Sequence, residues 1–185
     1  MPTSEADLDW QDVDHGNARF RRKQLGAADG GEALGTSLYE LPPGGAGFPY
    51  HYHTGNEEAL YVLAGTGTLR LDGEEHALAA GDYAALPADE SGAHRVRNDG
   101  DEPLRYLLVS TMNEPDAMVY PDSDKVGVLA GAPPGGDSGE RTLDLFFRRG
   151  DAVDYWHGEG GRGDAEGTGD DTAGNDADDD ADDGA

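Results

Sequence analysis

Cysteine is absent from this 185-residue chain. Disulfides, thiolate metal sites and a cysteine nucleophile are excluded with it. Base is scarce: 13 Lys and Arg stand against 39 Asp and Glu, and Lys23 and Lys125 are the two lysines. The formal charge of −26 repels nucleic-acid backbones and anionic membrane surfaces, so neither is an expected partner. Long apolar runs are missing. None approaches the roughly 18 residues that a membrane helix needs. Helical periodicity is missing as well, with no convincing amphipathic stretch over three turns. The opening MPTSEADLDWQDVDHG lacks the basic-then-apolar order of a signal peptide, so a soluble cytoplasmic protein is expected.

What is present is acid, glycine and short β-like runs. The Asp-rich, Lys-poor composition resembles that of haloarchaeal proteins. In molar salt the Debye length falls to about 3 Å, so self-repulsion is screened. Composition divides the chain into an acidic N-terminal arm (1–16), a β-rich domain (17–149), a docking segment or linker (150–163) and an acidic tail (164–185). The tail has no base and no large apolar residue, so disorder is expected there. In the arm, Leu8, Trp10 and Val13 are the residues able to dock.

Strand signals follow one another through the domain. LGTSLYEL alternates with period two, and EALYVLAG is rich in strand formers. Asp72-Gly73 is a strong two-residue hairpin turn between TGTLRL and EEHALA. LRYLLVST is the longest apolar run; AMVYP, KVGVLA and TLDLFFRR are shorter. Ten or eleven strands divided by Gly, Pro, Asn and Asp predict an all-β sandwich or barrel.

The chemistry concentrates in PYHYHTGNEEALYVLAGTG. His51 and His53 are two apart, so on a strand their imidazoles share a face. Glu58 opens the next strand, and His94 lies on a later one that a closed sheet can bring opposite. Nitrogen and oxygen donors without sulfur suit iron(II), manganese, nickel, cobalt or zinc. The same residues also fit ordinary polar positions beside a turn, and spacing alone leaves both readings open. His15 and His76 are expected to be solvated.

Two motifs here resemble those of the cupin superfamily. The first motif is Gly, five residues, His-x-His, three or four residues, Glu, six residues, Gly. It appears as Gly45, His51, His53, Glu58 and Gly65. The second appears as Gly81, Pro87, His94 and Asn98. One departure falls in PADESGAH: Asp89 stands where the family has glycine, and the loop is two residues longer. The resemblance covers residues 34–111 by motif and 17–149 by strand pattern. It implies a double-stranded β-helix, or jelly-roll barrel, with one divalent transition metal (iron, manganese, nickel or zinc) on His51, His53, Glu58 and His94. It also implies a small-molecule substrate or ligand and a homodimer. Family activities range over dioxygenases, sugar isomerases and epimerases, decarboxylases and non-catalytic binders, and fold does not choose among them. A metal-dependent enzyme of dioxygenase or isomerase type is the expectation. A ligand-binding barrel and a barrel whose metal is structural are the alternatives. By strand parity Leu60, Val62, Val96 and Asn98 face inward with the ligands, whereas Tyr50, Tyr52 and Tyr61 face away. Tyr39, Arg70, Arg105 and Tyr106 are candidates to reach a pocket.

Overall fold

The computed structural model describes residues 2–159. Residues up to Ala152 form one compact unit, and a second begins at Val153. The expected acidic tail lies outside the described residues.

The first unit is a sandwich of antiparallel strands. Its strands in chain order are β1 (Gln11–His15), β2 (Ala18–Gln24), β3 (Leu34–Leu41), β4 (Tyr52–His53), β5 (Glu58–Ala64), β6 (Thr66–Leu71) and β7 (Glu74–Ala79). They continue as β8 (Tyr83–Leu86), β9 (His94–Arg97), β10 (Leu104–Thr111), β11 (Asp116–Tyr120), β12 (Lys125–Ala130) and β13 (Leu143–Arg148). One layer is a six-stranded sheet in the order β1-β2-β3-β10-β5-β8. The facing layer is made of β13-β12-β11-β4 and β7-β6-β9. These two smaller sheets meet at one bridge between His51 and His94, whose main chains exchange hydrogen bonds of 3.2 and 2.8 Å. The all-β expectation is met, and the seam of the second layer passes through the histidine motif.

The core follows from period-two alternation. On β5, Glu58, Leu60 and Val62 are buried between outward Ala59, Tyr61 and Leu63. Leu41, Leu60, Val62 and Leu104 are fully buried and pack with Phe20, Leu69 and Val96. A fully buried Leu or Val contributes about 1.5–3 kcal/mol through area removed from water. The inner face changes character along the six-stranded sheet. Arg22, Tyr39, Tyr106 and Val62 stand in cross-strand register on β2, β3, β10 and β5. Four residues further along, Gly35, Ser110 and Glu58 do the same. The packed core thus gives way to polar groups at one end of the sandwich.

Turns behave as their residues dictate. Asp72 and Gly73 both take positive φ, 49° and 81°, as a type I′ hairpin requires. Asn98 is a turn-builder: its amide donates to the Leu41 and Glu102 carbonyls and accepts from the Gly100 N–H.

Two elements differ from expectation. Gln11–His15, inside the anticipated lead-in, is a strand paired along its length with β2. It is polar except for Val13, which packs on the core, so its sequence carries no alternation to read. Leu25–Ala28 forms a single helical turn, α1, too short for any periodicity. The arm docks through Trp10, which lies under Arg21 and Lys23 at 4.4 and 4.7 Å from its ring centre.

In the second unit, Asp154 caps a turn, and Tyr155 and Trp156 pack edge to face at 4.8 Å, both largely exposed. No helix among the described residues is long and apolar enough to cross a membrane.

Candidate metal centre

His51, His53, Glu58 and His94 converge inside the sandwich, each at most 9% exposed. His51 and His53 come from the short strand β4 and the residue before it, Glu58 from the first position of β5, and His94 from the first of β9. Donor atoms of His51, His53 and Glu58 all lie within 4.8 Å of one another. His94 Nε2 is 3.4 Å from Glu58 Oε2, and His53 Nε2 is 3.6 Å from the same oxygen.

The imidazoles are held in one orientation by their outer nitrogens. His51 Nδ1 meets the Pro49 carbonyl at 2.7 Å and His94 Nδ1 the Gly92 carbonyl at 2.9 Å. Both contacts use a carbonyl two residues back, so the local chain itself sets the ring. His53 Nδ1 meets the Asp116 carboxylate at 2.5 Å. Carbonyls and carboxylates accept, so each Nδ1 carries the proton and donates it. Each Nε2 then presents a lone pair to the interior.

Electrostatics differ among the three. Burial, with His94 and His53 nearby, holds His51 well below the usual imidazole range. Burial also lowers His94, against the pull of Glu58. Burial acts the same way on His53, but the Asp116 bond and the Glu58 and Asp116 charges outweigh it and raise its pKa. Burial pushes the Asp116 carboxyl up, yet the His53 contact and the Gly55 N–H hold it below its ordinary value. Glu58 Oε2 is buried and has no hydrogen-bond partner in the structure. A buried carboxylate oxygen without a donor is costly unless a cation completes it. Three inward lone pairs around that oxygen fit a divalent metal.

The cluster forms part of the wall of a cavity of about 620 Å³, a size typical of small-molecule sites. Tyr120 stacks on His51 at 5.5 Å with the rings 15° apart. Tyr39 and Tyr106 stack on each other at 5.1 Å and line the cavity. Burial pushes both phenols above their ordinary pKa, Tyr106 most strongly. Arg22 also lines the cavity, and no carboxylate among the described residues approaches within 4.0 Å of it.

The four sequence candidates are therefore brought together. Leu60 and Val62 face inward but belong to the packed core, whereas Tyr39 and Tyr106 reach the cavity. Arg70 and Arg105 do not; they pair with Asp122 and with Glu5 and Glu40. Tyr52 and Tyr61 keep the outward parity, whereas Tyr50 is buried, with Arg70 over its ring at 3.7 Å and its hydroxyl accepting from the Gly73 N–H at 2.9 Å. His15 and His76 are exposed. Sequence reasoning missed Asp116 and Arg22. Asp116 shares the inward parity of Met118 and Tyr120, a signal readable once β11 is known to begin there.

A histidine-lined jelly-roll sandwich of this kind defines a class, and the comparisons agree on it. The Cupin domain family matches residues 37–110. The chain belongs to the cupin superfamily. It is similar to a solved protein of Acidithiobacillus ferrooxidans provisionally named a sugar phosphate isomerase: 31% identity, 74% of this chain and 81% of that one, TM-score 0.63. A second, a cupin-superfamily sugar phosphate isomerase of Silicibacter pomeroyi, is 25% identical over 80% of this chain and 93% of that one, TM-score 0.68. Among curated proteins, quercetin 2,3-dioxygenase of Bacillus subtilis is 34% identical over 48% of this chain. The chain spans 27% of that enzyme's length. An oxalate-binding protein of Thermotoga maritima is 34% identical over 38% of this chain, which spans 55% of it.

Proposed function

We propose that this cupin holds one divalent metal on Nε2 of His51, His53 and His94 and on the Glu58 carboxylate, and that it is an isomerase-type enzyme acting on a small polar molecule. The carrying observation is the unpartnered Glu58 oxygen within 3.4 and 3.6 Å of two inward imidazole nitrogens. The isomerase type rests on the likeness to the two proteins named sugar phosphate isomerases, which extends over most of their length.

A bound divalent metal supplies Lewis-acid polarisation of a carbonyl or hydroxyl oxygen. The chain's own residues do the rest. Asp116 keeps the His53 proton on Nδ1, and the Pro49 and Gly92 carbonyls do the same for His51 and His94. Tyr39 and Tyr106 keep their protons at neutral pH, so they serve as hydrogen-bond donors to a ligand oxygen. Arg22 brings an unpaired positive charge to the wall and suits a ligand with an anionic group.

One observation favours a second reading, ligand binding without turnover. Isomerisation needs a group that takes a proton and returns it. The phenols beside the site are held protonated, and the carboxylate beside the histidines is already assigned to the metal. The likeness to the oxalate-binding protein fits this reading. Proton NMR of the metal-loaded chain with aldose and ketose phosphates distinguishes the two. Interconversion supports the enzyme. Saturable binding without interconversion supports the binder. Oxygen uptake on a flavonol panel would instead move the assignment to the dioxygenases.

A further inference from the structure

The connection from β12 to β13 forms part of the cavity wall. Residues 131–142 leave and return at one point, where the Thr142 N–H donates to the Ala130 carbonyl at 2.8 Å. Ala130 and Leu143 stay in cross-strand register, so the segment is a pinched strap of the kind that packs as a unit. Its base is fixed further by the Gly131 N–H, which donates to the Glu114 carboxylate. Gly131, Pro133, Gly135 and Arg141 line the cavity. The tip, residues 133–136, is held differently. Among the described residues one hydrogen bond ties it to the body of the sandwich, from the Gln24 side-chain amide to the Gly135 carbonyl at 2.7 Å.

Gln24 is the last member of a chain of side-chain hydrogen bonds that starts at Arg22. From the cavity wall, Arg22 Nε donates to Gln11 Oε1 at 3.2 Å. Gln11 Nε2 donates to Gln24 Oε1 at 3.2 Å, and Gln24 Nε2 donates to Gly135. Every donor points the same way, from the wall to the strap, and hydrogen bonds aligned like this polarise one another. Strand pairing supplies the geometry. Gln11 stands opposite Arg22 across β1 and β2, and Gln24 lies two residues on along β2, on the same face. We propose that a ligand oxyanion, phosphate or carboxylate, held by Arg22 draws the strap down over the cavity through Gln11 and Gln24. An anion that fixes the long Arg22 side chain removes its rotamer freedom. The fixed guanidinium then presents Nε to Gln11 in one geometry, and ordering the two amides and the strap tip costs less. The coupling is reciprocal, so a latched strap tightens the hold on the anion by the same factor. It rests on the reading of Arg22 as the receptor for an anionic group and makes no use of the metal.

Hydrogen exchange of the full chain, read by mass spectrometry over residues 131–142, tests this with inorganic phosphate as the probe. Gln11→Met and Gln24→Met stand beside the wild type; each keeps the side chain's size and removes its hydrogen bonds. Phosphate binding is followed separately by calorimetric titration. One net hydrogen bond is worth a factor of about threefold to tenfold. Phosphate is expected to slow exchange of the wild-type strap by about that factor. Gln24→Met is expected to exchange faster than the wild type without phosphate, by a similar factor, and not to respond to it. Gln11→Met keeps the Gln24–Gly135 bond, so it starts at the wild-type rate and also fails to respond. Gln11 is exposed on an edge strand, so its variant keeps the wild-type melting temperature. Equal exchange in the wild type and Gln24→Met overturns the latch and the coupling with it. Phosphate that binds but slows the wild type and Gln11→Met alike, or slows neither, overturns the coupling and leaves the reading of Arg22 standing. Phosphate that does not bind overturns both.

Discussion

At the scale of single residues, the contact between His53 and Asp116 does the most. It fixes a tautomer, aims a ring and balances a charge in one 2.5 Å contact. Asp116→Asn keeps the shape and can still accept from Nδ1, but it removes the charge. Partners of this kind typically contribute 10- to 100-fold to metal affinity. Asp116→Asn is therefore expected to weaken metal binding by about that factor in a chelator competition, with the fold intact by circular dichroism. The partnership was illegible in the sequence because 63 positions separate the two residues. The His-x-His and Glu58 spacing was legible because strand periodicity places neighbours two apart on one face without any tertiary knowledge.

The buried phenols give a pH prediction at the same scale. Burial, with Asp116 adding to it, pushes Tyr120 up to about 12, and burial raises Tyr39 and Tyr106 as well. An unfolded chain releases these protons near the ordinary phenol value of about 10, whereas the folded chain retains them. The unfolded state then binds fewer protons, so stability falls as pH rises from about 10 towards 12. Melting temperatures between about pH 9 and 11 should show this decline. Tyr106→Phe should make it shallower, since one of the retained protons is gone.

At the scale of elements, the loop from Pro87 to His94 is the instructive one. It is two residues longer than the family's second motif and carries Asp89 where the family has glycine. In the folded chain Asp89 caps a short helical turn by accepting from the Ser91 N–H at 2.8 Å. The close approach that needs glycine falls at Gly92, where a Cβ would collide with the Pro87 carbonyl. Gly92 also supplies the carbonyl that holds His94. Gly92→Ala is expected to cost about 1–3 kcal/mol by overpacking and to turn the His94 ring. The measurable signs are a lower melting temperature and weaker metal binding together. An alanine variant with unchanged binding would show that His94 is aimed by something else.

Most other strands were legible because their apolar residues alternate between Gly- and Pro-marked turns; β3, β10 and β12 have the expected limits. β1 was not, because a polar edge strand is specified by its partner rather than by its own pattern. The cavity wall was legible only in part. Parity placed Leu60 and Val62 inward, but whether an inward side chain meets core or cavity depends on where along the sheet it stands.

At the scale of the whole molecule, charge governs the conditions under which the fold holds. Thirty-nine acids on one short chain repel one another, and salt screens them. The melting temperature is expected to rise steeply from about 0.1 to 2 M KCl, where the Debye length shrinks towards 3 Å or less. A flat or falling curve would mean that ion pairs such as Arg70–Asp122 and Arg97–Glu75 outweigh self-repulsion.

The central claim is that four side chains brought together from β4, β5, β9 and the residue before β4 hold one metal ion. Elemental analysis of the full chain, purified at high salt without a chelating tag, measures this directly when done beside His51→Ala and Glu58→Ala. The account predicts close to one divalent transition metal per wild-type chain and its loss in both variants. Metal content equal in all three, or a wild type that takes up no metal after loading, would contradict it.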